Sequence, residues 1–582
     1  MPQSESESES ESRSEFRSQC QSQSRSESTC ESRPRSRFHA RVLARAGGRS
    51  RAPARGRSRA RIAVVVGGGA ALLAASLGVV QDPRPGIRWG ECAQTAVPAG
   101  MRCGTLDVPL DHARPGKGVV RVALAKLPAT GHPGRRLGSL LLNFGGPGAP
   151  GIAGLAADPT AFADLGERYD LVAFDPRGVG HSEPVSCGGS QETDPASDTD
   201  AAARLAALRA VVRRCELASG PVLPYIGTVN VSRDLDRIRQ ALGETKLNYL
   251  GFSYGTRLGA VYAAQFPRTT GRMVLDGVDT LTEPPAERAL VTARGRQQAL
   301  DGFLAWCARR KDCVYGADPR AARDKVGALV SRLDAEPLVG EDGSYFTGQD
   351  AVAALAAALD AKQQQTWPAL AAGLALVERE RDPGGLLRLG APTQPPRGES
   401  DGAGPVTPVS AVTPVASVTP MASVPPVPPV PADNGEAALT AVNCADHPGR
   451  SRATAGAAAF AEEIDGLEED FRRASPIFGP QQLAAVLSCY GRPAGTDFLR
   501  RIDRPAGLPR MLLVGTRGDP ATPYRWTQET ARRLGGPAVV LDHRGAGRTG
   551  YSASRCVREH VNRFLVDGHL PAGTNRSCPA GR

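Results

Sequence analysis

Hydrophobic and polar positions follow two alternating patterns from about residue 87 onward. Short apolar runs that end in Gly, Asp or Asn predict strands at 118–125, 139–144, 169–174, 247–250, 272–277, 510–516 and 538–541. Apolar residues at helical spacing predict helices between them, for example at 231–242, 525–534 and 553–565. Buried strands that alternate with helices indicate an α/β fold with a mostly parallel, doubly wound sheet.

One long stretch interrupts this alternation. Residues 281–487 are Ala/Leu-rich at helical spacing, which predicts a helical cap inserted into the sheet domain. Within it, residues 391–433 form a Pro/Val/Thr/Ser tract, which we expect to be a disordered insert. Because strands return afterwards, the core is expected in two parts, 87–280 and 488–582.

The N-terminal region reads differently from the rest. Residues 1–61 are Ser/Glu/Arg-rich and then Arg-rich, which predicts a disordered tail. Residues 62–80 are apolar and uncharged and follow a basic flank, as in a signal peptide or an uncleaved signal anchor. Translation from a downstream start such as Val42 is one explanation for the long preceding tail. We therefore expect a secreted or extracytoplasmic protein, in contact with a membrane only if this segment is uncleaved.

Charge and composition exclude several function classes. The net charge is +11, and residues 1–61, with 14 Arg and 7 Glu, hold +7 of it. The folded part therefore carries only about +4, so we expect no nucleic-acid partner. The chain has no zinc-type Cys/His cluster, no Walker loop and no Gly-x-Gly-x-x-Gly after a strand, so neither a metal nor a cofactor is predicted.

The cysteines indicate an oxidising compartment. The chain has twelve, and the ten beyond the tail are spread widely, which favours disulfides. Pairing neighbours in sequence order is the simplest arrangement, although the sequence alone does not fix connectivity, and buried free thiols of a cytosolic enzyme are the alternative. The ten are Cys92, Cys103, Cys187, Cys215, Cys307, Cys313, Cys444, Cys489, Cys556 and Cys578.

Catalytic chemistry is indicated by Gly251-x-Ser253-x-Gly255 between a predicted strand and a predicted helix. This context is typical of a nucleophile elbow, whose Ser stands above the sheet. A Ser nucleophile needs an adjacent base and preformed donors for its oxyanion. The Tyr254 amide is one candidate donor, and Gly146 of the Gly145-Gly146 turn is the favoured second. The alternatives are a solvated Ser on a Gly-rich turn and a tight loop without catalytic duty.

Six segments carry a family resemblance, and they occur in a specific order and spacing. They are residues 143–148, 175–182, 251–256, 276–278, 518–523 and the Cys556…Cys578 tail. The chain resembles secreted α/β-hydrolases of the tripeptidyl-aminopeptidase-like group, related to proline iminopeptidases, over roughly 87–380 and 434–582. The resemblance implies an α/β-hydrolase fold with a C-terminal domain typical of the group. It also implies removal of residues or short peptides from free N-termini of a peptide or small-molecule substrate.

The resemblance assigns catalytic roles and exposes one departure. Ser253 is the expected nucleophile and Asp519 the expected acid, while Asp276 is a rival acid that also ends a strand. The family's base is a His in a Gly-x-Gly-His-type loop, and this chain has Arg548 at that position. Arg is a permanent cation without a lone pair, so it cannot accept the proton.

Several explanations of Arg548 remain open. His543 lies five residues earlier and would need the loop to fold back; His560, in the predicted final helix, is a weaker substitute, and His181 reads as a loop residue near the pocket. A sequencing error or a recent mutation is a further explanation, because a single base change separates Arg and His codons, and unrecognised chemistry is the last. The predicted function is a secreted serine-type exopeptidase. The alternatives are a catalytically silent binding protein on the same scaffold and an esterase acting on small esters.

Overall fold

A ten-stranded sheet runs through the part of the chain that the structure describes. In the computed structural model these residues are 86–93, 97–189, 200–340, 343, 345–360, 363–390, 429–447, 457–493 and 495–580. The predicted N-terminal tail, the apolar segment 62–80 and most of the predicted Pro-rich insert lie outside them.

The strands confirm the predicted α/β fold with a mostly parallel sheet. Their order across the sheet is β1-β2-β3-β5-β4-β6-β7-β10-β11-β12, and β8 pairs with β9 in a separate hairpin. The pairs β1–β2, β2–β3 and β3–β5 are antiparallel and the remaining neighbours are parallel. The strands are β1 Arg88–Gly90, β2 Arg102–Pro109, β3 Val119–Leu127, β4 Ser139–Asn143, β5 Asp170–Phe174, β6 Leu247–Phe252, β7 Thr270–Asp276, β8 Leu338–Val339, β9 Tyr345–Phe346, β10 Met511–Gly518, β11 Ala538–Ala546 and β12 Ser577–Cys578.

Helices cover the sheet and form the insertion between β7 and β10. The α-helices are Gly151–Ala157, Ala163–Gly166, Ala201–Ser219, Thr228–Ala241, Tyr254–Gln265, Pro285–Cys307, Pro319–Ala335, Gly348–Asp360, Gln363–Glu380, Gly384–Gly390, Asn434–Ala445, Ala457–Ala474, Gly479–Leu487, Phe498–Arg501, Tyr524–Leu534 and Arg555–Asp567. Single 3₁₀ turns occur at Pro115–Lys117, Pro133–Arg135, Pro159–Phe162, Gly220–Tyr225 and Gly573–Arg576.

Strand register brings the ends of four strands to one edge of the sheet. Strands β4 and β5 are buried at every position, as expected for apolar runs covered on both faces. In the ladder Phe252 of β6 pairs with Asp276 of β7, and Asp276 pairs with Val514 of β10. Residues that follow β4, β6, β7 and β10 therefore meet at the carboxyl edge, where ligands bind in open α/β sheets.

The insertion between β7 and β10, which we call the cap, has its own hydrophobic cores. One contains Phe303, Leu329 and Leu374. A second joins Phe460 and Leu487 of the cap to Leu205 of the helix Ala201–Ser219. That helix lies before the elbow in sequence and outside the predicted cap boundaries, yet part of its apolar face belongs to the cap.

Two side chains at the end of the Pro-rich tract fasten the cap to the sheet domain. Asn434 donates to the carbonyls of Gly178 and Val185, both at 2.8 Å, and accepts from the Gly180 amide at 2.9 Å. The neighbouring Asp433 accepts from the Ser186 hydroxyl at 2.7 Å. The loop after β5 is thus held by consecutive residues of the returning chain.

Disulfides follow the predicted sequence-order pairing. The five bonds are Cys92–Cys103, Cys187–Cys215, Cys307–Cys313, Cys444–Cys489 and Cys556–Cys578. They are compatible with an extracytoplasmic protein, because such bonds persist in oxidising compartments. Among the described residues no helix is both long and apolar enough to cross a bilayer.

Candidate active site

Ser253 stands on a strained turn between β6 and the helix Tyr254–Gln265. Its φ of 53° and ψ of −121° are uncommon for a residue with a side chain. A methyl group on Gly255 would lie 2.6 Å from the Asn143 side-chain oxygen, and one on Gly251 would lie 2.6 Å from the Gly255 carbonyl oxygen. The two glycines therefore permit the close backbone approach that a nucleophile elbow requires.

The Gly145-Gly146 turn lies directly against this elbow. A methyl group on Gly145 would be 3.0 Å from Ser253 Cβ and 3.4 Å from the Tyr254 amide nitrogen. Gly145 donates its own N–H to the Asn143 side chain at 3.1 Å. Within the described ranges, the Gly146 and Tyr254 amides donate to no protein acceptor. The amide directly after the nucleophile and the Gly146 amide of the adjoining turn are thus left without a protein acceptor, on the elements where the sequence predicted oxyanion donors.

Asp519 is buried at the end of β10, close to the turn that carries Arg548. Its carboxylate accepts from the Thr522 amide and hydroxyl, both at 2.7 Å, and from the Thr549 amide at 3.3 Å. Burial raises the pKa of Asp519, while the Thr522 hydrogen bonds and the Arg548 charge oppose that rise. Asp519 therefore binds Thr549, the residue next to Arg548, at whose position a base is expected.

Asp276, the rival acid, binds backbone. It is fully buried and accepts from the Gly550 amide at 2.8 Å and the Tyr551 amide at 2.8 Å. Burial raises its pKa to about 7, and the neighbouring Asp519 adds to this increase. Asp276 thus anchors the chain immediately after Arg548.

Arg548 contacts the nucleophile directly. Its Nη2 donates to Ser253 Oγ at 2.5 Å. Its Nη1 lies 3.7 Å from Asp360 Oδ2, which is an ion pair but beyond hydrogen-bond reach. A guanidinium therefore occupies the place from which a neutral imidazole would withdraw the Ser proton.

Asp360 is a site residue that the sequence analysis did not single out. It ends the cap helix Gly348–Asp360, and its Oδ2 lies 3.3 Å from Arg296 Nη2 on another cap helix. Its Oδ1 is buried and has no hydrogen-bond partner in the described part of the chain. One carboxylate in an Ala-rich helix gave no sequence signal, because only packing of the cap brings it to Arg548.

His543 is not brought to the site. The strand predicted at 538–541 continues to Ala546, so His543 lies within β11, paired with Thr516 on one side and Cys578 on the other. Its strand is three spacings from that of Ser253, roughly 14 Å. Its Nδ1 lies 3.2 Å from the Thr516 hydroxyl, and burial lowers its pKa. It cannot swing to Ser253 without breaking the ladder.

The two other histidines considered as substitutes for the base, His560 and His181, have surroundings of their own. His560 lies on the final helix beside Cys556 and Cys578, whose sulfurs are joined in a disulfide and so are not free thiolate ligands. The His181 amide donates to Asp175 Oδ2 at 2.9 Å, in the loop after β5. Neither makes a described contact with Ser253.

A buried charge network holds the helix Tyr254–Gln265, which follows the nucleophile. Arg257 is 1% exposed and donates to Asp279 at 2.6 Å and to Asp446 of the cap at 3.1 Å. Burial opposes its charge, but these two carboxylates raise its pKa overall. Asp446 also accepts from Thr228, whose hydroxyl lies 2.6 Å from that of Tyr254. The residue after the nucleophile is therefore fixed through its side chain.

Comparison with known proteins gives consistent relatives. The family described as TAP-like protein matches residues 475–578, and the one described as alpha/beta hydrolase fold matches residues 139–373. The chain is 32% identical to serine protease Hip1 of Mycobacterium tuberculosis over 87% of this chain and 92% of the relative. It is 31% identical to tripeptidyl aminopeptidase of Streptomyces lividans over 86% and 88%, and 31% identical to carboxylesterase B of Mycobacterium tuberculosis over 85% and 90%.

Proposed function

Because the chain belongs to the α/β-hydrolase family and carries its TAP-like C-terminal domain, we propose that it binds peptides over Ser253 and has lost its relatives' turnover. The observation that carries this proposal is the hydrogen bond from Arg548 Nη2 to Ser253 Oγ. A permanent cation at this point cannot take the hydroxyl proton. The other parts of a serine-hydrolase site are present, namely the strained elbow, the two amide donors and the buried Asp519. They support ligand binding at this site without turnover.

The ligand class is a peptide with a free N-terminus in an extracytoplasmic compartment. Two relatives are a serine protease and a tripeptidyl aminopeptidase, which supports peptides as the ligand class. The five disulfides support the extracytoplasmic location.

The magnitude of the loss follows from the chemistry of the missing base. In a comparable Ser protease, removing the base costs on the order of 10⁶ in turnover, and roughly 10³ to 10⁴ over water remains from binding and the oxyanion donors. His543, held between two strands, does not compensate. The natural chain should therefore hydrolyse peptides no faster than this residual level.

The test compares wild type with Arg548→His, with Arg548→Lys as the charge-preserving control and Ser253→Ala as the blank. Release from tripeptidyl and aminoacyl amides, turnover of p-nitrophenyl acetate and fluorophosphonate labelling of Ser253 are measured together. We expect Arg548→His to raise peptide turnover by at least about a thousandfold over wild type and Arg548→Lys to leave it unchanged.

Two results would contradict the proposal. The first is efficient peptide hydrolysis by wild type that His543→Ala abolishes, since the chain would then be an exopeptidase with a substitute base. The second is rapid turnover of the small ester by wild type without any binding of peptides, which would identify an esterase.

A further inference from the structure

Arg548 has unused hydrogen-bonding capacity at the nucleophile. A guanidinium carries five N–H donors. Within the described residues, the hydrogen bond of the Arg548 side chain goes to Ser253 Oγ. Its carboxylate neighbour Asp360 stays at 3.7 Å and is shared with Arg296. The Arg548 side chain is 33% exposed, so its remaining donors are open to a ligand.

Two backbone amides add further donors near Ser253. The Gly145-Gly146 turn packs on Ser253, with the Gly146 and Tyr254 amides free of protein acceptors in the described part. Tyr254 also begins the twelve-residue helix Tyr254–Gln265, whose N-terminus favours negative charge. Arg548, which donates to Ser253 Oγ, adds a cation to these donors.

The nearby acids do not cancel this arrangement. Asp519 directs both carboxylate oxygens at Thr522 and the Thr549 amide, away from a ligand on Ser253. Asp276 is bound to the Gly550 and Tyr551 amides. Asp360 is the one acid within ion-pair distance of Arg548 in the described structure, and Arg296 offsets its charge.

We infer that the residue-548 substitution converts the reacting centre into a binding site for the free carboxylate of a peptide. One carboxylate oxygen would accept from the Arg548 guanidinium and the other from the Gly146 and Tyr254 amides. A peptide acid is what a hydrolase of this kind leaves at its nucleophile after acyl transfer to water. This inference rests on the proposed function, since it names the end of the peptide that the pocket holds.

The experiment is calorimetric titration of the intact, disulfide-bonded protein with trialanine and with trialanine amide. These two ligands share their N-terminus and side chains and differ at the carboxylate. Wild type should bind the acid at least about tenfold more tightly, as expected for a charge-assisted pair. Arg548→Gln should reduce this ratio to about twofold or less, and Arg548→Lys, a point charge without the fork, should be intermediate. Mass spectrometry of the titrated samples verifies that neither ligand is cleaved.

The outcomes separate the two proposals. Equal binding of acid and amide by wild type overturns the carboxylate site and leaves the peptide-binding function standing. A preference for the acid that survives Arg548→Gln, with an unchanged melting temperature, also overturns the inference because another residue must then hold the carboxylate. Absence of binding by either ligand contradicts the proposed function itself.

Discussion

Replacing Asp276 with Asn should remove a large part of the pH dependence of stability. Asp276 is fully buried, and burial raises its pKa to about 7. Between pH 4 and 7 the folded protein therefore keeps a proton that the unfolded chain has released. The free energy of unfolding is highest below the unfolded pKa of about 3.9, falls as pH rises towards 7 and is flat above it.

The size of the effect follows from linkage. One proton contributes about 1.4 kcal/mol per pH unit, and half of it is already lost at pH 7, so Asp276 should cost roughly 2 kcal/mol of unfolding free energy between pH 5 and pH 7. Asn does not ionise, and its carbonyl oxygen can still accept from the Gly550 and Tyr551 amides. Asp276→Asn should therefore gain about 2 kcal/mol relative to wild type over this interval.

Urea unfolding at pH 5 and pH 7, with the disulfides intact and tryptophan fluorescence as the signal, measures this difference. Other buried carboxylates with raised pKa values, such as Asp175 and Asp446, contribute equally to both proteins and cancel. Asp107→Asn is the control, because that carboxylate is 48% exposed and its substitution should change the difference by less than about 0.5 kcal/mol. If Asp276→Asn shows the wild-type slope, the assigned protonation of Asp276 is wrong.

Three further experiments test the elements around the site. Ser253→Gly should be about 1–3 kcal/mol more stable than Ser253→Ala in urea unfolding, because glycine accepts the φ of 53° without strain; equal stability would refute a strained elbow. Arg257→Met should lower the unfolding free energy by about 3–5 kcal/mol, since it leaves the buried Asp446 without its cation and leaves Asp279 only Arg288 at 3.7 Å, and a loss below about 1 kcal/mol would contradict this. Joint replacement of Cys444 and Cys489 by Ala opens a loop of 45 residues and should cost about 4 kcal/mol in the same assay, whereas unchanged stability would show that the bond does not constrain the unfolded chain.

The elbow was predictable because its signal is local. Strand, Gly-x-Ser-x-Gly and helix occupy adjacent residues, and the predicted order matches β6, Ser253 and the helix Tyr254–Gln265. The disulfides follow the simplest pairing, in sequence order, although the sequence alone left their connectivity open. In contrast, β1 and β2 were missed, since Arg102–Pro109 alternates exposed and buried positions only in part and includes the charged Arg102 and Asp107.

Features that depend on packing were not predictable. The strand containing His543 was expected to end at 541, but pairing with β10 extends it to Ala546. This extension places His543 beside Thr516 of β10, so that His543 lies within the strand and not in the loop. Asp360 likewise reaches Arg548 only through the tertiary arrangement of the cap.

The clamp formed by Asp433 and Asn434 also bears on how this protein can change over evolution. These two residues set the position of the cap helix Asn434–Ala445 against the loop after β5, through side chains that begin where the Pro-rich tract ends. Insertions or deletions upstream of Asp433 therefore need not shift that helix. The tract is therefore a position at which length can change, or at which a tag or domain can be inserted, while the contacts of Asp433 and Asn434 with the loop after β5 are kept.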